Sequence, residues 1–147
     1  MRLTRHTDYA FRLLIHAAIN APALTTVGEV ARDFDLSATH LNKVAQTLAA
    51  QGYLETIRGR SGGLRLAKDP ASIRLGQVAL TTEPDFQIAP RMAPDGNCPI
   101  YDPCVLKGIL SDAADAFIAE LDKFTLANLL KPKRRLLTAI GMAAHRR

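Results

Sequence analysis

SATHLNKVAQTLAAQGYLETIRGRSGGLRL, residues 37–66, changes its hydrophobic period from that of a helix to that of a strand. In the first half, apolar residues recur at i, i+3, i+4 and i+7, namely at Leu41, Val44, Ala45 and Leu48. Ser37 can cap this helix and Gly52 can end it. The second half predicts strands over 53–58 and 63–67, joined by a basic, glycine-rich tip at 59–62.

Upstream of this stretch, the pattern predicts two further helices. A mostly buried helix is predicted over 7–20, and a second one, capped by Thr25 and Thr26, extends to Asp33. A short turn at 35–36 separates it from the helix that follows Ser37. Two helices joined by a tight turn and followed by a β-hairpin form a winged helix-turn-helix, which we assign to residues 1–83.

Downstream, a fourth helix is predicted over 75–82. The segment 84–104 contains five prolines, so we expect a loop, and it carries Cys98 and Cys104. A long helix over 105–123 has more apolar residues than one small domain can cover, which predicts a homodimer. With a short helix it forms a dimerisation unit, 105–130, before a basic tail, 131–147. The expected fold class is mainly α, with a small hairpin wing.

The composition narrows the function class. The 147 residues carry a formal charge of +5 and the pI is near 9.6, which favours a polyanionic partner such as double-stranded DNA. No apolar run approaches a membrane span, and no signal-peptide core follows Met1, so we expect a cytoplasmic protein without membrane contact. A phosphate-binding glycine loop before a helix and a nucleophile with its base are both missing, which argues against an enzyme.

The predicted DNA contacts lie on the third helix, the wing and the first helix. The third helix would enter the major groove, where short donors, amides and a cation can reach bases and phosphates. Arginines on a glycine-rich tip can reach into a minor groove. The candidate residues are Ser37, Thr39, His40, Asn42, Lys43, Arg58, Arg60, Arg65 and Arg12.

Several motifs carry a resemblance to a known family. They are MRLT at 1–4 with TDY at 7–9, LNKV at 41–44, GYL at 52–54, RGRSGGL at 58–64, CVLKG at 104–108 and LDKFTLA at 121–127. Over about residues 1–130 the chain resembles the Rrf2 family of bacterial transcription regulators, and most closely its nitric-oxide-sensing branch, called NsrR.

The resemblance implies a homodimer and an iron–sulfur cluster in the loop before the long helix. In that branch three cysteines bind the cluster, with an aspartate from the first helix of the partner subunit. Asp8 stands at the aspartate position, and Cys98 and Cys104 match the second and third cysteines. The first cysteine is missing: Ala93 or Met92 stands in its place, depending on the spacing assumed.

Because only two cysteines are present, three interpretations stay open. The loop holds a labile [2Fe-2S] or [4Fe-4S] cluster with an exchangeable ligand, for which His6 or His16 could substitute. Alternatively, the two thiols form a switch by closing a local disulfide. The third interpretation is an apo protein, whether Ala93 is natural or an engineered cysteine replacement.

The expected function is a DNA-binding transcriptional regulator, more specifically a repressor, that responds to nitric oxide, iron or redox state through the cluster. A winged helix that binds another protein instead of DNA is the alternative from a different class. The two differ in salt dependence, because DNA binding weakens steeply as salt rises.

Overall fold

Residues 2–86, 88–89 and 98–141 are described by a computed structural model of the chain. In chain order the elements are α1 (Arg5–Asn20), α2 (Val27–Phe34), α3 (Ala38–Ala50), β1 (Leu54–Ile57), β2 (Gly63–Leu66), a 3-10 turn (Pro70–Ser72), α4 (Leu75–Thr82), α5 (Val105–Leu121), α6 (Leu126–Leu129) and α7 (Lys133–Ala139). The mainly helical fold with one antiparallel hairpin is the predicted one.

The first three helices form the helical part of the winged helix-turn-helix, and side-chain caps set where they begin. Helix α1 begins two residues earlier than predicted because Thr4 caps it by accepting from the Thr7 N–H. Helix α2 begins with a capping box in which Thr26 and Glu29 each accept from the other's backbone N–H. It ends at Phe34, and the left-handed backbone (φ 53°) of the C-cap residue Asp35 turns the chain towards α3.

The hairpin is held against the helices by one residue outside it, which pairs with β2 like a short third strand. Strands β1 and β2 pair antiparallel from Leu54 opposite Leu66 to Ile57 opposite Gly63. Thr25, just before α2, exchanges two backbone hydrogen bonds with Leu64, at 2.9 and 2.7 Å. The position of the wing is therefore fixed relative to the start of α2.

Helix α4 has the predicted bounds and joins the winged helix to α5. A Cβ added to Gly76 would lie 2.8 Å from the Ile118 carbonyl oxygen and 2.7 Å from an Asp122 carboxylate oxygen, so glycine permits this close approach of α4 to the end of α5. Of the residues in α5, Ala114 alone is buried. The helix ends at Leu121, two residues before the predicted end.

The segment after α5 returns to the winged helix. The Leu126 N–H donates to the Ile73 carbonyl at 2.8 Å, and the Leu126 side chain is completely buried. The predicted basic tail at 131–147 contains a helix, α7 (Lys133–Ala139), that the sequence pattern did not predict. We attribute the omission to Pro132, because proline is typical of a helix break but is also well tolerated at a helix start.

The main core lies between α1, α3, the hairpin and α4. Its fully buried aliphatic side chains include Leu13, Leu14, Val30, Leu41, Val44, Leu48, Ile73, Val78 and Leu126. Among the described residues, no helix is both long enough and apolar enough to cross a membrane.

Candidate DNA-binding surface and cysteine loop

The outer face of α3 presents the predicted polar residues to solvent. Ser37, Thr39, His40, Asn42 and Lys43 are all exposed. Ser37 also has a structural role, since its hydroxyl accepts from the His40 N–H and caps the helix. The opposite face of α3 is buried in the core, so the helix is held with its polar side outward.

The wing tip depends on glycine. Gly59 has φ 121°, and a Cβ on Gly62 would lie 2.3 Å from the Ile57 carbonyl oxygen. Any larger residue at Gly62 would have to reshape the tip. Arg58 and Arg60 are exposed here, and neither forms an ion pair with a residue that the structure describes.

Arg65 differs from the other wing arginines because it has a partner. It lies opposite Glu55 in the hairpin, and its Nε donates to a Glu55 carboxylate oxygen at 2.8 Å. This hydrogen bond, together with the attraction between the charges, raises the pKa of Arg65 above its usual value. A DNA phosphate would therefore compete with Glu55 for this guanidinium.

A groove separates α3 from the wing. Its volume is about 520 Å³, and the residues that line it include Asn42, Ala45 and Gln46 from α3 and Gly62 and Leu64 from the hairpin. The two parts of the predicted DNA surface are thus neighbours on one side of the molecule.

On α1, two predicted site residues form one ion pair. The Arg12 Nε lies 3.0 Å from one Asp8 carboxylate oxygen and 3.2 Å from the other. The Arg12 guanidinium also lies 5.6 Å from the centre of the Phe34 ring. Both ion-pair side chains remain partly exposed, so a metal at Asp8 or a phosphate at Arg12 would compete with this pair.

Two long-range contacts of α1 and its capping residue were not predicted from the sequence. The Tyr9 ring meets the His40 ring edge-on, with centroids 5.6 Å apart, and so connects α1 to the start of α3. Glu83 accepts from the Thr4 N–H at 2.7 Å and from the Thr4 hydroxyl at 3.0 Å. Glu83 directly precedes the cysteine loop, but it is 79 residues from Thr4, and local sequence patterns cannot detect a contact over that separation.

The two cysteines flank a turn at the start of α5. Both thiols are free and half-buried, and the Tyr101 N–H donates to the Cys98 carbonyl at 3.1 Å. Cys104 is the N-cap residue of α5. Lys107 lies one turn further on, with its ammonium 3.9 Å from the centre of the Tyr101 ring.

The structure narrows the set of metal donors. His16 is excluded as a substitute ligand because it is 1% exposed and both ring nitrogens are engaged, with Thr25 at 3.2 Å and Asp33 at 3.1 Å. Ala93 and Met92 lie outside the described residues. Within the described residues of this one chain, no three histidine, cysteine or acidic side chains form a cluster that could hold a metal ion.

The sequence matches one protein-family model over most of its length. The model is Rrf2, described as an iron-dependent transcriptional regulator, and it covers residues 3–132. The chain belongs to the Rrf2 family. Its relatives include the HTH-type transcriptional regulator NsrR of Bacillus subtilis (strain 168), which is 42% identical over 97% of this chain and 99% of that protein. Protein aau3 of Rhizobium meliloti (strain 1021) is 36% identical over 97% and 93%.

Solved structures share this Rrf2 fold. CymR of B. subtilis, described as its global cysteine regulator, superposes with a TM-score of 0.69 at 22% identity, over 88% of this chain and 95% of that one. IscR of T. potens superposes with a TM-score of 0.71 at 21% identity, over 90% and 88%. The chain is therefore a DNA-binding transcriptional regulator of the Rrf2 family, similar to NsrR, and not an enzyme.

Proposed function

We propose that two copies of this regulator bind duplex DNA through α3 and the wing tip, and that the cysteine loop alters the affinity. One observation carries the DNA-binding part. The glycine-constrained tip holds Arg58 and Arg60 exposed and without acidic partners among the described residues, beside the polar face of α3. In this arrangement α3 reads the major groove and Arg60 enters the neighbouring minor groove.

The dimer proposal rests on the side of α5 that the described residues leave exposed. Val105, Leu106 and Ile109 are 76%, 52% and 58% exposed, and they recur at helical spacing. The other side of α5 carries the buried Ala114, and α5 approaches α4 where a Cβ on Gly76 would lie 2.8 Å from the Ile118 carbonyl oxygen. A two-fold contact through the uncovered face would pair the winged helices and set the separation of the two α3 helices, which must be about 34 Å to reach successive major grooves.

Two charge-removing variants test the DNA surface. We expect Arg60→Ala and Lys43→Ala each to weaken binding to a promoter fragment at least about tenfold, and to reduce the salt slope by about 0.9 for each phosphate that the variant no longer binds. Lys68→Ala is the matched control, because Lys68 is also exposed but lies at the other end of the hairpin, over the Tyr53 ring. Unchanged retention of the fragment by both test variants would refute the proposal.

The sensing part concerns Cys98, Cys104 and, from the partner subunit, the equivalent of Asp8. Two thiolates and one carboxylate supply three ligands, whereas a cluster generally needs four protein ligands. The described donors therefore do not complete a fully protein-ligated site. We propose an iron–sulfur cluster with one exchangeable ligand, which would suit a response to nitric oxide or iron. The second candidate is a thiol switch, favoured by two free cysteines that flank one turn.

Chemical analysis separates the two sensing candidates. A cluster predicts iron and acid-labile sulfide in anaerobically purified protein, both lost in Cys104→Ser and reduced in Asp8→Ala. A thiol switch predicts an iron-free protein that loses two hydrogens in mass on mild oxidation, with a parallel change in DNA affinity. Lys107→Gln serves as a control, since it removes the contact with Tyr101 in the turn between the cysteines without removing a thiol. An iron-free protein with oxidation-independent DNA binding would refute both.

A further inference from the structure

The basic charge of this chain is concentrated at its C-terminal end. Residues 123–147 contain seven Lys or Arg and no Asp or Glu, whereas residues 1–122 contain twelve and fourteen. Four of the seven cations stand together at positions 131, 133, 134 and 135. The positive formal charge of the whole chain therefore comes from the last 25 residues, and not from the winged helix with its sensor loop and α5.

These four side chains are all available to a partner. Lys131, Lys133, Arg134 and Arg135 are exposed, and none forms an ion pair with another residue in the described part of the chain. We call them the C-terminal basic surface. Lys123 differs, because its ammonium is already paired with Glu120.

The C-terminal basic surface is attached to the DNA-binding body. Leu126, five residues before Lys131, is fully buried in the main core. Just before it in the chain, the Leu75 N–H donates to the Phe124 carbonyl at 3.0 Å, and the Arg74 guanidinium donates to the Asp122 carbonyl at 2.9 Å. The basic surface is thus held on the same unit as α3 and the wing.

We propose that the C-terminal basic surface is a second DNA contact, which binds phosphates of the duplex flanking the operator. This inference rests on the DNA-binding function proposed above. A duplex carries one negative charge for about each 1.7 Å of its axis and continues beyond the base pairs that α3 reads, so it offers phosphates to any cation on the same body. Such contacts add affinity and salt dependence without base specificity.

An acidic surface on a second copy is the competing partner. Helix α5 and the residue after it carry four carboxylates, but Glu120 is paired with Lys123 and Asp122 with Arg74. That leaves Asp112 and Asp115, half the number of cations in the basic surface. Among the described residues, the four unpaired cations of the basic surface outnumber these two unpaired carboxylates, so DNA, with its many phosphates, is a better partner than α5 of a second copy.

The test compares two duplexes that share one operator. The core duplex is the shortest operator fragment that the test variant described below protects, and the extended duplex adds about ten base pairs of unrelated sequence at each end, about one helical turn. We expect the unaltered protein to prefer the extended duplex at least about tenfold at low salt, since several bound phosphates each contribute to the salt-dependent affinity. The test variant replaces Lys131, Lys133, Arg134 and Arg135 with glutamine.

The variant should bind the core duplex like the unaltered protein and lose the preference for the extended one. Its salt slope on the extended duplex should fall by about 0.9 for each phosphate that the four cations would have neutralised, up to about 3.6 per protomer. Lys123→Gln is the matched control and should keep the preference, because that charge is already neutralised by Glu120.

Three outcomes overturn the inference. Equal losses of affinity on both duplexes would place these cations within the operator contact. An unchanged preference would remove them from DNA binding altogether. Weaker dimerisation in sedimentation, with flank dependence retained, would assign them to the second copy. If the unaltered protein binds neither duplex, the proposed DNA-binding function itself fails, which is a distinguishable result.

Discussion

The buried contact between His16 and Asp33 joins α1 to α2, and we expect Asp33→Ala to destabilise the protein by about 2–3 kcal/mol. His16 Nε2 lies 3.1 Å from an Asp33 carboxylate oxygen, and the two side chains are 1% and 8% exposed. Removing the carboxylate leaves a buried ring nitrogen unsatisfied, which costs about 1–3 kcal/mol, with the larger values for bonds to charged groups. Arg32 also pairs with Asp33, but it is 58% exposed, so Arg32→Ala should cost less than about 1 kcal/mol.

Urea unfolding at matched protein concentrations measures this difference. With a denaturant slope of about 2 kcal/mol per molar urea, the Asp33→Ala midpoint should fall by about 1–1.5 M. Asp33→Asn retains an acceptor oxygen and should lose less. Because Thr25 bonds to His16 and also pairs with Leu64, we expect the wing to loosen as well. If Asp33→Ala were no more destabilising than Arg32→Ala, the reasoning from burial would be wrong.

Four further predictions concern the wing, α5 and the C-terminal anchor. Gly62→Ala should weaken DNA binding, measured by gel retention, at least about tenfold because the wing tip must change its shape. Gly108→Ala should stabilise α5 by about 0.5–1 kcal/mol in thermal unfolding, since the added Cβ meets open space. Ile109→Glu should shift the protein to a monomer in sedimentation while Ser111→Glu does not, and a dimeric Ile109→Glu protein would remove this face from the interface. Leu126→Ala should lower the free energy of unfolding, measured in urea, by about 2–5 kcal/mol because the Leu126 side chain is completely buried. A loss below about 1 kcal/mol would contradict its role as an anchor.

The winged helix could be predicted closely because its signals are local. The spacing of Leu41, Val44 and Leu48 defines the buried face of α3, and Ser37 caps it as expected. Helix α4 was predicted to the residue. The prediction for α1 was less accurate at its start because the capping residue, Thr4, precedes the first apolar residue of the stripe. Helix α7 was missed because a proline directly precedes it.

The candidate site was predicted only in part, since the sequence did not show which of its side chains are already paired with a neighbour. The sequence identified Asp8 and Arg12 for different roles, and the structure brings them into one ion pair. The sequence offers His16 as a candidate ligand, but Thr25 and Asp33 occupy both of its ring nitrogens. A side chain's availability depends on its neighbours in space, which periodicity does not reveal.

The sequence by itself determined the order of the elements, the outward residues of α3, the glycine-rich tip and the pair of cysteines without a matching third. These features depend on spacing along a helix or strand, or on the residue count alone. Only the tertiary structure decided that Thr25 fixes the wing, that Glu83 binds the capping residue of α1, and that Leu126 anchors the basic C-terminal segment to the winged helix. Each of these contacts joins residues far apart in the chain, and their geometry is set by how the whole core packs.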